Sequence, residues 1–438
     1  MKILLLTNEG DGLALGLQFM REGHACAAWA KEPLGDLYKG IIEPRFYGID
    51  SNDKPWHDIQ AAIQWQPDYA IADVTGLSWA AQQCRTAGIP VLGGDSLNDA
   101  LEQDRFEALR FADACGVHIP HTLGYSEHEV SKACEFIRDC GPDEHYVVKS
   151  SRHDKASSFV ATNPEDIEPF MTEFPPQGPF ILQERIDGLC EVNVECWFSN
   201  GLPIGLVVGG MEQKKFLTGD KKHPKGLGSN TGCMSNLGWV WQRGLDHPLV
   251  KKAFTPGLLV ALERLRYNGP LDMALLIGKD HEAYFIEFTP RFGYDAIYDM
   301  MEYVETDWGK FFQALALGKL PKFNPKPGFG CSIDISITPY PQDNPRVLFK
   351  GEPVRLDAGM KGHYWPGDVM VRDGRLISAG VSGWLGAVTG YGLDWQEAVE
   401  TSMRYVHSLE ISDLQYRSDA GSQGIGIDEL RKLGFIVP

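Results

Sequence analysis

Strand and helix signals alternate through residues 1–100, and that alternation constrains the fold more than any other feature of the chain. Lys2–Thr7 predicts a strand, Asn8–Gly12 a polar glycine turn and Leu13–Glu22 a helix. Ala25–Ala30, Tyr69–Asp73 and Ile89–Leu92 predict further strands with helices between them. Strands joined through helices pair in parallel, which gives an open parallel sheet. The turn Asn8-Glu9-Gly10-Asp11-Gly12 is a weak match to a dinucleotide fingerprint and reads better as a structural turn.

At 438 residues the chain is too long for one core, and two to four domains are expected. Beyond residue 100 the pattern changes. A helix is predicted from Asn98 to Cys115, stopped by Gly116 with Pro120 beyond it. Strands follow at Tyr146–Lys149 and Phe180–Gln183, a helix at Leu249–Leu265, and paired strands at Leu271–Ile277 and Tyr284–Phe288 around the turn Gly278-Lys279-Asp280. Residues 209–236 are Gly/Lys-rich and lack periodicity, so they are expected to form a functional lid. From residue 326 the tail is β-rich, with a helix over Trp395–Ser408. The expected class is a mixed α/β and α+β multidomain protein, divided at 1–100, 101–325 and 326–438.

Hydrophobic content of 43% and charged content of 23% are those of a globular protein. A net charge of −18 argues against general nucleic-acid or membrane binding. No apolar stretch approaches the ~20 residues of a membrane span, and Met1–Thr7 reads as a first strand rather than a signal peptide. Nine scattered cysteines without a Cys-x-x-Cys pair suggest reduced thiols and a cytoplasmic setting.

The most informative chemistry lies in Tyr284–Gly293, Tyr-Phe-Ile-Glu-Phe-Thr-Pro-Arg-Phe-Gly. A strand here carries one carboxylate, Glu287, among apolar neighbours, and Arg291 follows four residues later. An ionised Glu in such a place needs a cation or hydrogen bonds. Mg²⁺ bridging the phosphates of ATP is a natural partner, and Arg291 would then grip a transferring phosphoryl group. A strand-end salt bridge is the alternative reading.

In chain order the candidates are Arg105 on a helix, Lys149 at a strand end, Glu184 and Glu191 after a strand, then Glu287 and Arg291. The set resembles the ATP-grasp superfamily, and within it the phosphoribosylamine–glycine ligases. The resemblance runs over almost the whole chain. It includes Ile181-Leu182-Gln183-Glu184-Arg185-Ile186-Asp187-Gly188 with Glu191, Gly228-Ser229-Asn230-Thr231-Gly232-Cys233-Met234, Ile286-Glu287-Phe288 and Arg291-Phe292-Gly293. It implies a two-subdomain ATP-grasp core with ATP held between the subdomains. Lys149 and Arg105 would contact phosphates, backbone near Gln183, Glu184 and Ile186 would meet adenine, and Glu191 would bind the ribose hydroxyls. Glu287 would coordinate Mg²⁺. Asp272, on the partner strand, is expected as the second ligand from the strand pairing and not from a family match.

Several positions depart from the family pattern. Ser150–Phe159 holds no glycine where a glycine-rich phosphate loop is expected, so Arg152, His153 or Lys155 would substitute by charge. Thr289 replaces an Asn ligand, and Tyr294-Asp295-Ala296 replaces Asp-Pro-Glu. Asp73-Val74-Thr75-Gly76 stands where Pro-Glu is expected, and Glu212-Gln213-Lys214-Lys215 where Gln-Asp-His-Lys-Arg is. The changes fall mainly on substrate contacts. The resemblance therefore implies an ADP-forming carboxylate–amine ligase joining a glycine-like amino acid to an amine on a nucleotide-like or phosphorylated substrate. The alternative is a catalytically weakened nucleotide-binding relative. Lys214, Lys215, Asn230, Thr231, Gly232 and Arg291 are the expected substrate residues, with Arg291 and Lys149 catalytic.

Overall fold

A computed structural model describes residues 1–31, 33–49, 55–56, 59–141, 145–151, 158–161, 163–342, 344, 348–435 and 437. The proposed charge substitutes Arg152, His153 and Lys155 lie outside the described residues.

The N-terminal region is the expected parallel sheet, in the order Arg45–Phe46, Ala25–Ala30, Lys2–Thr7, Tyr69–Ala72, Val91–Leu92. Its central strands are mostly apolar because both faces are covered. Ile3 and Leu5 enter the main core, whereas Leu4 and Leu6 point into a second cluster with Trp29 and Ala72. The turn after the first strand is held from below by a buried carboxylate: Gly12 N donates to Asp73 Oδ2 at 2.9 Å. A Cβ at Gly12 would lie 2.5 Å from Asp73 Cβ, so this approach requires glycine.

The helix expected from Asn98 to Cys115 is two helices, Ser96–Gln103 and Arg105–Ala114. Asp104 is extended at φ −121° and ψ 97°, and its side chain caps the second helix by accepting from Phe106 N and Glu107 N. The break places Arg105 at a helix start. The expected Leu249–Leu265 helix is likewise split into Pro248–Ala253 and Pro256–Leu265. Pro256 cannot donate within a continuous helix and opens the second one instead.

A small antiparallel subdomain follows, ordered Ser158–Val160, Tyr146–Ser150, Phe180–Glu184, Thr122–Tyr125. The helices Val130–Asp139 and Ile167–Glu173 pack on it around a separate core that includes Ile137, Val148 and Leu182.

The largest element is an eight-stranded antiparallel sheet. Its order is Ala283–Thr289, Gly269–Gly278, Gly188–Ser199, Leu202–Leu217, Leu227–Val240, Phe329–Ser336, Trp384–Gly392, Tyr364–Pro366. Two expectations change here. Residues 209–236 are not an irregular lid: most of them belong to the paired strands Leu202–Leu217 and Leu227–Val240, and the connecting loop spans only 218–226. Glycines and lysines masked the two-residue period. The expected division at 326 also falls inside this sheet, because Phe329–Ser336 pairs directly with Leu227–Val240.

The hairpin end is fastened by Arg417, which is fully buried. Its guanidinium donates to Lys215 O at 2.9 Å and Lys225 O at 3.3 Å, and pairs with Asp419 at 2.8 Å. Across the sheet lies the helix Tyr294–Tyr303. Asn236 Nδ2 donates to Asp299 Oδ2 at 2.6 Å, and Tyr303 OH to Asp299 Oδ1 at 3.2 Å, which pins the helix to the strands below.

Candidate active site

Register alone gathers the polar residues of the large sheet onto one face. Asp272 stands opposite Glu195 on one neighbouring strand and Thr289 on the other. Ala274, two residues on, stands opposite Asn193 and Glu287, and Asn193 in turn faces Gly210. Because strand side chains alternate, Asn193 and Glu195 share a face, as do Gly210, Glu212 and Lys214. All of these except Ala274 line a cavity of about 520 Å³. Arg291, Tyr294 and Asp295 close it at the start of the overlying helix. Asp334, Tyr340, Ser382 and Trp384 form the wall beyond residue 326, and Asp11 enters from the N-terminal sheet.

The two cations lining the cavity are Lys214 and Arg291, and both are ion-paired. Lys214 Nζ lies 2.7 Å from Glu191 Oε1 and 3.7 Å from Glu212 Oε2. Arg291 approaches Glu102 Oε1 through Nε at 3.1 Å and Nη2 at 3.0 Å. Burial opposes the charge of each, but Glu212 and Glu191 hold Lys214 above the ordinary lysine range, and Glu102 does the same for Arg291. Burial pushes Glu212 up to about 7 against the pull of Lys214. It also lifts Glu195 to about 7, although the Trp197 indole donates to its carboxylate at 2.5 Å. Asp272, 9% exposed, is raised by burial and then by Glu195, and its Oδ1 has no hydrogen-bond partner among the described residues.

A second group adjoins this cavity. Arg105 donates to Ser150 O at 2.7 Å and lies 3.8 Å from Glu287 Oε2. Lys149 Nζ donates to Gln183 Oε1 at 2.6 Å, and Gln183 Nε2 donates to Thr122 Oγ1 at 3.0 Å. Burial, and next the charge of Arg105, push Lys149 down to about 8.

Of the residues singled out in the sequence, Asp272, Glu287, Arg291, Lys214, Thr231 and Gly232 line the main cavity. Arg105 and Glu191 border it through their pairs with Glu287 and Lys214, and Lys149, bonded to Gln183, feels the charges of Glu287, Glu191 and Lys214. Glu184 is exposed, its carboxylate accepting from His121 N at 3.3 Å, and Ile186 is half-buried in the loop that follows. Lys215 and Asn230 do not join the cavity. Alternation turns Lys215 away from Lys214, its Nζ bonds Gly228 O at 3.1 Å, and Asn230 faces it in register and is exposed. Asn193, Glu195, Asp295, Asp334, Tyr340 and Trp384 were not anticipated as site residues. The period-two series Glu191, Asn193, Glu195 in an otherwise apolar strand was the available signal.

No protein-family model matches the chain, and no curated protein matches it in sequence. Solved structures do. Phosphoribosylamine–glycine ligase from Thermotoga maritima is 17% identical, with a TM-score of 0.71 over 96% of this chain and 100% of that one. The biotin carboxylase domain of 2-oxoglutarate carboxylase from Hydrogenobacter thermophilus, solved with MgADP and bicarbonate, is 12% identical. It covers 100% of this chain and 99% of its own at a TM-score of 0.66. N5-carboxyaminoimidazole ribonucleotide synthetase from Thermotoga maritima is 14% identical, covering 94% and 99% at 0.57. Likeness at such identities is a likeness of fold, and the fold this chain shares with all three is that of the ATP-grasp enzymes.

Proposed function

We propose that the protein is an ATP-dependent, ADP-forming ligase that joins a carboxylate to an amine through an acyl phosphate. The observation that carries this reading is the convergence of Asp272, Glu287, Lys214 and Arg291 on one cavity, with Arg105 and Lys149 at its border. Asp272 and Glu287 suit Mg²⁺: both are carboxylates, hard oxygen ligands, and the buried Asp272 Oδ1 has no hydrogen-bond partner among the described residues. When bound, the ion would offset phosphate charge during transfer.

The residues of the chain then divide the work. Lys149 and Arg105 hold the phosphates of ATP, and Glu191 borders the nucleotide through its pair with Lys214. Gln183, Glu184 and Ile186 carry the strand end expected to meet adenine. A substrate carboxylate oxygen takes the γ-phosphoryl group, and ADP leaves. Arg291 and Lys214 face the charge that builds on the transferring group and on the carbonyl oxygen. The amine nitrogen then attacks the acyl carbon, a C–N bond forms, and the C–O bond to phosphate breaks with its electrons leaving on phosphate. An ammonium substrate gives up two protons in the process; one ends on phosphate and the other in solvent. Positioning and charge carry such chemistry, and no nucleophilic side chain is needed.

A glycine-like carboxylate remains the donor favoured by the sequence resemblance. For the acceptor, a nucleotide-like or phosphorylated amine is weakened as a reading by the cavity itself, whose two cations are already paired. The test is ADP release by purified protein with ATP, Mg²⁺ and panels of amino acids and amines. Release that needs both a carboxylate and an amine supports the ligase. ATP binding without any dependent release would favour the weakened relative, to which Thr289 in place of Asn lends weight.

A further inference from the structure

The wall of the cavity beyond residue 326 presents Asp334 to Asp295 of the overlying helix. Resting on the ligase reading, we propose that Asp295 and Asp334 receive the ammonium group of the acceptor, which is a small alkylamine free of phosphate.

Asp334 is 3% exposed and lines the cavity. Its Oδ2 accepts from Trp384 Nε1 at 2.9 Å, while Oδ1 meets no donor from any other side chain or backbone group among the described residues. What it faces is Asp295, a second carboxyl reaching in from the first turn of the overlying helix. Two buried carboxyls against each other cannot both ionise; burial raises both, and the contact adds to the rise at Asp334 while it offsets part of it at Asp295. The two cations of the cavity are committed elsewhere, Lys214 to Glu191 and Glu212 and Arg291 to Glu102, and the charge of Arg291 offsets only part of the rise at Asp295. The side chains that do surround it are apolar or weakly polar. Trp384, Tyr340 and Cys233 line the same wall. Tyr340 is itself packed edge-on against Phe216, with ring centroids 6.0 Å apart.

A primary ammonium satisfies each of these features. It brings three donors and one positive charge to a pair of carboxyls otherwise met by the Trp384 indole and the Cys233 thiol. Indole and phenol rings beside it favour a cation and exclude water. A phosphate group finds the opposite: seven acidic side chains line the cavity against the two cations already paired. In the sheet, the strand of Asp334 is separated from those of Glu287 and Asp272 by Gly188–Ser199, Leu202–Leu217 and Leu227–Val240, so the two groups line different parts of one cavity.

A matched pair of probes separates the alternatives: ethanolamine and O-phosphoethanolamine, with 1,4-diaminobutane as a second cation. Binding is measured by calorimetry on the full chain, with and without a non-hydrolysable ATP analogue and Mg²⁺. The two alkylamines are expected to bind, and O-phosphoethanolamine to bind at least tenfold more weakly, on the order of one lost charge-assisted contact. Asp334→Asn should weaken amine binding on the order of 30-fold or more while nucleotide affinity stays unchanged. Asp295→Asn serves as the second variant if Asp334→Asn melts early. Stronger binding of the phosphorylated amine, equal amine affinity in a folded Asn variant, or no alkylamine binding at millimolar concentration overturns the proposal. The ligase reading fails separately, by amine binding that never promotes ADP release. Conversely, ligation of phosphorylated amines alone leaves the ligase intact and removes the cation site.

Discussion

Lys214 and Glu191 form an ion pair of 2.7 Å between neighbouring parts of the large sheet, and the same ammonium lies 3.7 Å from Glu212. One cation thus joins the residue expected at the ribose to a carboxylate of the substrate cavity. Lys214→Met would leave two half-buried carboxylates facing each other without a counter-charge. The expected result is a fall in kcat/KM on the order of 10²-fold, with KM rising for both ATP and the carboxylate substrate. Lys214→Arg should recover part of it. Steady-state kinetics beside thermal melting checks this, and an unchanged KM for ATP would break the link between the two walls.

Glu287→Gln keeps the shape of the side chain and removes its charge. Turnover should drop on the order of 10² to 10⁴-fold, with a weaker apparent Mg²⁺ affinity. Titration of the ion against ADP release measures both quantities. Normal turnover in a folded Gln variant would rule out Glu287 as the principal metal ligand.

Lys149 gives a pH signature. Burial and Arg105 lower its pKa to about 8, so the free protein loses this charge well below the ordinary lysine range. Nucleotide affinity should therefore fall as pH rises through about 8, and Lys149→Arg, whose charge does not titrate there, should flatten that fall. For stability the sign is opposite. Between about 8 and 10.5 the unfolded chain binds the extra proton, so this group favours folding more as pH rises. Equilibrium binding of an ATP analogue across this range distinguishes Lys149 from a surface lysine, for which no fall is expected near 8.

Asp73 makes the reverse statement about stability. Burial, then the charge of Asp11, raises its pKa from 3.8 to about 8. The neutral carboxyl is thus favoured by folding. Its contribution is fully present below 3.8 and is lost as pH rises through about 8. Asp73→Asn keeps an oxygen for Gly12 N and removes the titration. The variant should be more stable than wild type near pH 9, by a margin on the order of 3–5 kcal/mol, and similar near pH 4. Melting curves at the two values test it; equal margins at both would mean Asp73 does not titrate in that window.

The parallel sheet was legible because its strands carry almost no polar residues, so boundaries such as Lys2–Thr7 and Ala25–Ala30 emerge directly from composition. Glu287 was legible for the converse reason, as a single charge in an apolar strand. Asp334 lay outside that logic. It sits between Ile333 and Ile335 in an otherwise uncharged strand well beyond the last motif, Arg291-Phe292-Gly293, and the pairing of Phe329–Ser336 with Leu227–Val240 brings it to the cavity. Lys215 shows the matching error: adjacency in sequence suggested a shared role with Lys214, and the pleat sends the two to opposite faces. The long loop expected over 209–236 failed because glycine content outweighed a period of two that strands can keep even when Gly-rich.

The unbroken ladder from Ala283–Thr289 to Tyr364–Pro366 bears on how such a protein can change its preferences over time. A modular enzyme acquires a new acceptor by exchanging a domain. In this chain the segment that supplies Asp334 and Trp384 also pairs with Ser235–Trp239, and removing it would bare that edge as a template for chain-to-chain pairing. Specificity is therefore open to revision one side chain at a time, while the exchange of whole C-terminal segments is closed to it by the risk of aggregation.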